Sequence, residues 1–195
     1  DAWDTMDSIK DDPVKVDPDS GALLPLRIHN LRKPSIAAIN GYAIGVGMGL
    51  SLACDIRIAS ERAIFSEAFA RMGLVPADGS CWQLPRLIGL SHTLLLQYTG
   101  DRIDASEAYR IGLVSKVYSH EELMPECIKL AKRLSHGPTY AMSLTKYLVQ
   151  KSFDMELQES LALANSAQDL AKNTQDHEEA VNAFLGKRPP RFKGR

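Results

Sequence analysis

Residues 34–60 read P-S-I-A-A-I-N-G-Y-A-I-G-V-G-M-G-L-S-L-A-C-D-I-R-I-A-S, from Pro34 to Ser60. Ser35 to Asn40 is a short apolar run bounded by Pro34 and Gly41, which reads as a buried strand. Gly41, Gly45, Gly47 and Gly49 follow, then small apolar residues from Leu50 to Cys54, then alternation from Asp55 to Ala59. The predicted order is strand, glycine turn, buried helix, strand. Glycine lets a backbone approach something closely, and a helix start offers unbonded N–H groups to negative charge. A nucleotide loop fails, because Leu50 occupies the last position of G-x-G-x-x-G and no Gly-Lys-Ser/Thr follows. A serine nucleophile elbow fails, because Met48 and Ser51 do not form G-x-S-x-G. An oxyanion hole, with a backbone N–H facing a carbonyl oxygen that gains charge, fits the pattern. Glycine serving only tight strand–helix packing is the alternative that spacing leaves open.

Composition bounds the rest. The 195 residues are 45% hydrophobic and 24% charged, with net charge -1. That describes one globular domain with a sizeable core. It gives no electrostatic reason to expect nucleic acid or membrane as partner, and no apolar run is long enough to span a bilayer. Cys54, Cys81 and Cys127 lack C-x-x-C spacing and read as buried, reduced thiols. The five histidines are scattered, so no metal site is expected.

Before the central stretch, Asp1 to Pro25 is acidic and broken by Pro13, Pro18 and Pro25. It reads as a surface segment with a short helix around Trp3 to Ile9. Leu24, Ile28 and Leu31 then have helical spacing. After the stretch, Arg62 to Ser66 reads as a strand and Gly73 to Ser80 as a loop. Cys81 to Ile88 reads as a helix broken by Pro85, with a second helix from Ser91 to Gly100. Asp104 with Glu107, and Ser119 with Glu122, are capping boxes. Pro125 either kinks the helix that follows Ser119 or opens a new one. Leu123, Cys127, Leu130 and Leu134 share one face there. Phe153, Leu157, Leu161, Ala164 and Ala167 form a later stripe, and Thr174 to Leu185 is the last helix, closed by Gly186.

The stretch from Pro34 to Ser60 resembles the signature of the crotonase superfamily (enoyl-CoA hydratase/isomerase family). So do F-S-E-A-F-A-R-M-G-L-V-P-A-D-G-S at Phe65 to Ser80, L-P-R-L-I-G at Leu84 to Gly89, Thr99 to Val117, and A-F-L-G-K-R-P-P-R-F-K at Ala183 to Lys193. The resemblance implies an α/β fold, a crotonase-like spiral of β-β-α turns over 1–118, followed by a C-terminal helical extension over 119–195 that packs homotrimers, often paired as hexamers. It also implies that the first strand-turn units, with the second oxyanion N–H, lie upstream of Asp1. Trp3 and Met6 would border the acyl pocket. The compartment expected is cytoplasmic, or mitochondrial or peroxisomal in a eukaryote.

The resemblance implies an enzyme that processes acyl-CoA in fatty acid metabolism, coenzyme A arriving as part of the substrate and no separate cofactor. Two backbone N–H groups would hold the thioester enolate or oxyanion, one of them from Val46, flanked by Gly45 and Gly47. Hydratases of the family add two glutamates as acid and base. Gly49 and Phe69 occupy those positions here, so the two-glutamate hydratase mechanism is not expected. Some isomerase and dehalogenase branches carry an aspartate at the position of Ala77. Asp78 is one residue away and becomes the candidate acid or base; a turn aspartate bonding its own backbone is the alternative. Glu67 reads as surface, Asp55 as structural, and Ser80 and Cys81 lack a base that would make them nucleophiles. Phe184 and Lys187 match positions that contact the CoA nucleotide, and the basic tail after them reads as solvated. A non-catalytic acyl-CoA-binding protein and a CoA thioester hydrolase are the alternatives.

Overall fold

The computed structural model describes residues 21–195; the expectations for Trp3, Met6 and the helix near them lie outside that range. Helix α1 spans Leu23–His29 and leads into β1, Ile36–Ile39. Asn40 and Gly41 then turn the chain into β2, Tyr42–Ile44, which hands over to α2, Val46–Ala53. The sequence reading missed β2, because three residues that begin with an exposed tyrosine carry almost no alternation. Strands β3 (Ile56–Ser60) and β4 (Ile64–Ser66) repeat the pattern of two short strands in succession.

These strands feed two sheets. The first has the order β1-β3-β6 and is parallel throughout, with β6 at Lys116–Tyr118. The second has the order β2-β4-β5, with β2 parallel to β4 and β5 (Ile103–Asp104) antiparallel to it. Each pair of strands therefore steps from one sheet to the other before a helix returns. This is the β-β-α spiral. Met48 and Leu52 of α2 and Phe65 of β4 fill its core with Leu84 and Leu113. Asp55 stitches the turn into β3. It accepts from the Ser35 N–H at 2.8 Å and the Ser35 hydroxyl at 3.0 Å, and pairs with Lys146 at 3.0 Å.

After β4 comes a 3-10 turn, Ala68–Met72, then α3, Ser80–Thr99. Pro85 does not break α3; the break falls at Gly89, with φ 76° and ψ 166°. Pro85 forgoes one backbone bond, to the Cys81 carbonyl, without ending the helix, whereas the backbone angle at Gly89 is one open to glycine. Helix α4, Ala105–Arg110, is capped by Asp104. Helix α5, His120–Ser135, is capped by Ser119 and runs unbroken through Pro125. Leu123 and Cys127 of α5 pack on Ile58 of the first sheet.

Helices α6 (Thr139–Ser152), α7 (Leu157–Lys172) and α8 (Gln175–Leu185) complete the chain. The predicted stripe from Phe153 is cut, because Phe153 closes α6 and α7 starts only at Leu157. Phe153, Leu157 and Leu161 are exposed, so this apolar face has no cover among the described residues. The basic tail is not solvated chain. Glu179 takes Arg188 in a two-point ion pair and the Arg191 N–H at 2.8 Å, while buried Asp176 accepts from the N–H groups of Lys193 and Gly194. Those cationic contacts hold the Glu179 carboxyl down at about 2. Among the described residues, no helix is long and apolar enough to cross a membrane.

Candidate active site

Gly45 sets the first half of the site. Its φ of 53° with ψ of -121° is open to glycine and strained for other residues, and it lets β2 run straight into α2. Its N–H bonds the Ser66 carbonyl at 3.0 Å, which ties the turn to the end of β4. The Gly45 carbonyl accepts from Met48 at 2.8 Å and Gly49 at 3.1 Å. The N–H groups of Val46 and Gly47 have no acceptor among the described residues. They are the free donors of a helix start, where the helix dipole adds partial positive charge. The Phe69 ring comes within 3.7 Å of where a Cβ on Gly45 would stand. Val46, Gly45 and Phe69 therefore lie together.

Gly49 lies one turn further along α2. A Cβ built there would stand 2.6 Å from Asp78 Cγ and nearer still to Oδ2. The Asp78 carboxyl thus fills the volume that a side chain at 49 would need. Asp78 is 1% exposed, whereas Ala77 faces solvent. The loop after Pro76 turns residue 78 inward, and residue 77 is not brought to the carboxyl.

Glu67 is the correction. It is 0% exposed, not on the surface. Alternation along β4 carries it to the face of buried Phe65, and that alternation was the signal available in the sequence. The Ser80 hydroxyl lies between the two acids, 3.0 Å from Glu67 Oε2 and 2.7 Å from Asp78 Oδ1. Asp78 Oδ1 also accepts from the Ser80 N–H at 3.1 Å. The turn reading of Asp78 holds at Oδ1, which accepts from Ser80; Oδ2 has no partner among the described residues. Glu67 Oε1 is likewise unpartnered among them. Burial, and then the charge of Asp78, push the Glu67 carboxyl up to about 7, against the Ser80 hydrogen bond.

Asp78 also lines a cavity of about 360 Å³ between α1 and the start of α3, with Pro25, Leu26, His29 and Trp82. His29 meets Trp82 edge-on at 5.4 Å. Burial lowers the His29 pKa, Lys146 adds to that and Asp55 opposes it, so the neutral ring is favoured. A larger cavity of about 560 Å³ lies between α8 and the tail. It adjoins none of these groups, and the ion pairs that line it close the tail onto its helix. The smaller cavity is the one that Asp78 lines. Phe184, 83% exposed, and Lys187, at a φ of 48°, line neither the carboxylate pair nor its cavity. Cys81 is exposed, against expectation. Among the described residues, no three His, Cys, Asp or Glu side chains gather as metal ligands.

The shared volume makes a stability prediction. Gly49→Ala forces Asp78 out of place and costs about 1–3 kcal/mol, as overpacking does. Adding Asp78→Gly removes the clash, so the two changes are non-additive in urea unfolding.

Known proteins share this chain's sequence pattern and fold. A 1,2-epoxyphenylacetyl-CoA isomerase of Escherichia coli is 36% identical over 191 residues, 94% of this chain and 73% of its own length. A crotonyl-CoA hydratase of Syntrophomonas wolfei is 39% identical over 165 residues, 85% of this chain but 64% of the relative. The chain therefore spans about two thirds of the length of such relatives. The crystal structure of an enoyl-CoA hydratase subunit from Geobacillus kaustophilus superposes with a TM-score of 0.86 at 37% identity, covering 98% of this chain and 74% of that one. The enoyl-CoA hydratase/isomerase family profile matches residues 18–195, and the chain belongs to that family.

Proposed function

We propose that the protein is an enzyme acting on an acyl-CoA thioester, with Asp78 as its acid and base in place of the two glutamates. The Val46 N–H would bind the thioester oxygen as charge develops, with Gly45 and Gly47 letting it approach. Asp78 would take a proton from the acyl chain, or from water, at its unpartnered Oδ2 and return it. The observation that carries this reading is the Asp78 carboxyl seated against Gly49. Gly49 in turn lies about one helical turn along α2 from Val46. The reaction class that follows is isomerase or hydratase-like lyase. The apolar cavity with Trp82 and His29 would hold the acyl group.

Phe184 and Lys187 would bind the CoA nucleotide of a neighbouring subunit, as a ring to stack on adenine and a cation for phosphate. The exposed apolar face of α6 and α7 supports assembly into homotrimers or hexamers. Light scattering should then give three or six times the 21.5 kDa of the chain; a monomer would remove this part of the proposal.

The test is product analysis by mass spectrometry with saturated, 2-enoyl, dienoyl and aromatic acyl-CoA. Hydration or isomerisation supports the reading. Release of free CoA alone replaces it with thioester hydrolysis. Binding without turnover replaces it with a non-catalytic acyl-CoA-binding protein, which Phe69 in a glutamate position would suit.

A further inference from the structure

Glu67 has no part in the mechanism above, yet it is as buried as Asp78 and joined to it through one hydroxyl. Counting hydrogens shows what the arrangement demands. Ser80 Oγ has one proton to donate and two lone pairs to accept with. Gln97 Nε2 reaches one lone pair at 3.5 Å. If Ser80 donates to Asp78 at 2.7 Å, its contact with Glu67 at 3.0 Å is a hydrogen bond only when Glu67 carries a proton and donates it. The chain Glu67 to Ser80 to Asp78 is then satisfied in one direction. With both acids ionised, the hydroxyl serves only one of them, and two buried negative charges face each other.

Among the described residues, no cation pairs with either acid. The Cys81 thiol lies nearby, its pKa raised by burial and by both acids against a Gln97 hydrogen bond, and His29 lines the same cavity as Asp78.

We propose that Glu67 is a positioning residue: its proton, held against Ser80, fixes the hydroxyl on Asp78 Oδ1 and leaves Oδ2 as the single working base of a pair that shares one proton. This rests on the assignment of Asp78 in the proposed function. No charge leaves the unit during turnover. The proton taken at Oδ2 is returned from Oδ2, while Glu67 and Ser80 keep theirs. The acids form one unit because deprotonating Glu67 reverses the hydroxyl and weakens the hold on Asp78.

Carbon-13 carboxyl NMR of the whole chain tests the unit without substrate, with Glu67→Gln identifying the resonance. Glu67 should titrate near 7. Its midpoint should fall in Asp78→Asn, which removes the facing charge, and fall in Ser80→Ala, which removes the acceptor of its proton. A Glu67 carboxyl that titrates in the ordinary range, or is indifferent to both variants, overturns the proposal whether or not the protein turns over. With an active substrate, parental kcat/KM should fall about tenfold per pH unit above that midpoint. Glu67→Gln donates to Ser80 at every pH and should be flat there. Glu67→Ala should lose activity that the glutamine variant keeps. A limb that survives in Glu67→Gln overturns the positioning role and leaves Asp78 as the base.

Discussion

Asp78→Asn should lower kcat/KM on the substrate found by product analysis by about 10²–10⁴-fold, the range for removing a general acid–base group. The substitution is close to isosteric. The amide oxygen can accept from the Ser80 N–H and hydroxyl as Oδ1 does, so the turn before α3 survives. What is lost is a proton acceptor at Oδ2, the atom with no partner among the described residues. The loss should fall on kcat more than on KM, because the apolar cavity and the oxyanion donor are untouched. Rate measurements paired with far-UV circular dichroism check it. Unchanged turnover in a folded variant removes Asp78 from the mechanism.

Glu67→Gln should abolish a pH dependence of stability. The fold raises the Glu67 carboxyl from 4.5 to about 7, so the neutral form is favoured in the native state. The folded chain then binds more protons than the unfolded chain between those two values. The sign follows: the favourable contribution is complete below pH 4.5 and is lost as pH rises through about 7. The loss amounts to about 3 kcal/mol at roughly 1.4 kcal/mol per pKa unit. Urea midpoints from pH 4.5 to 8 should decline in the parent more than in Glu67→Gln. Subtracting the two curves isolates Glu67 from every other carboxyl. A constant difference across the window would mean that Glu67 is not raised.

Much of the spiral was legible because its pieces announce themselves locally. The apolar runs around Ile36 and Ile56, the caps at Asp104 and Ser119, and the helical spacing of Leu123 and Cys127 all sit where the sequence put them. What stayed hidden depends on distant partners. The pairing of Tyr42 with Ile64 makes β2 a strand, and nothing within three residues declares it. The inward turn of residue 78 depends on Gly49 leaving room. The burial of Glu67 depends on a serine thirteen residues on. The tail looked like solvated charge because its two anchors, Asp176 and Glu179, lie 12 to 18 residues before the backbone N–H groups they hold. The apolar stripe of α7 was visible, but its exposure was not, because a hydrophobic face looks the same whether its own chain or another covers it.

The volume contested by positions 49 and 78 also constrains history. A chain with any side chain at 49 has no space for a carboxyl seated as Asp78 is, since even a methyl group there stands 2.6 Å from its Cγ. A chain with glycine at 49 admits either occupant at 78. An exchange of one acid for the other must therefore pass through the glycine first, before the aspartate arrives. Reversal meets the opposite order, because position 78 has to be vacated before anything larger than hydrogen can return to 49. The cost of a substitution at either site should therefore depend on which residue stands at the other.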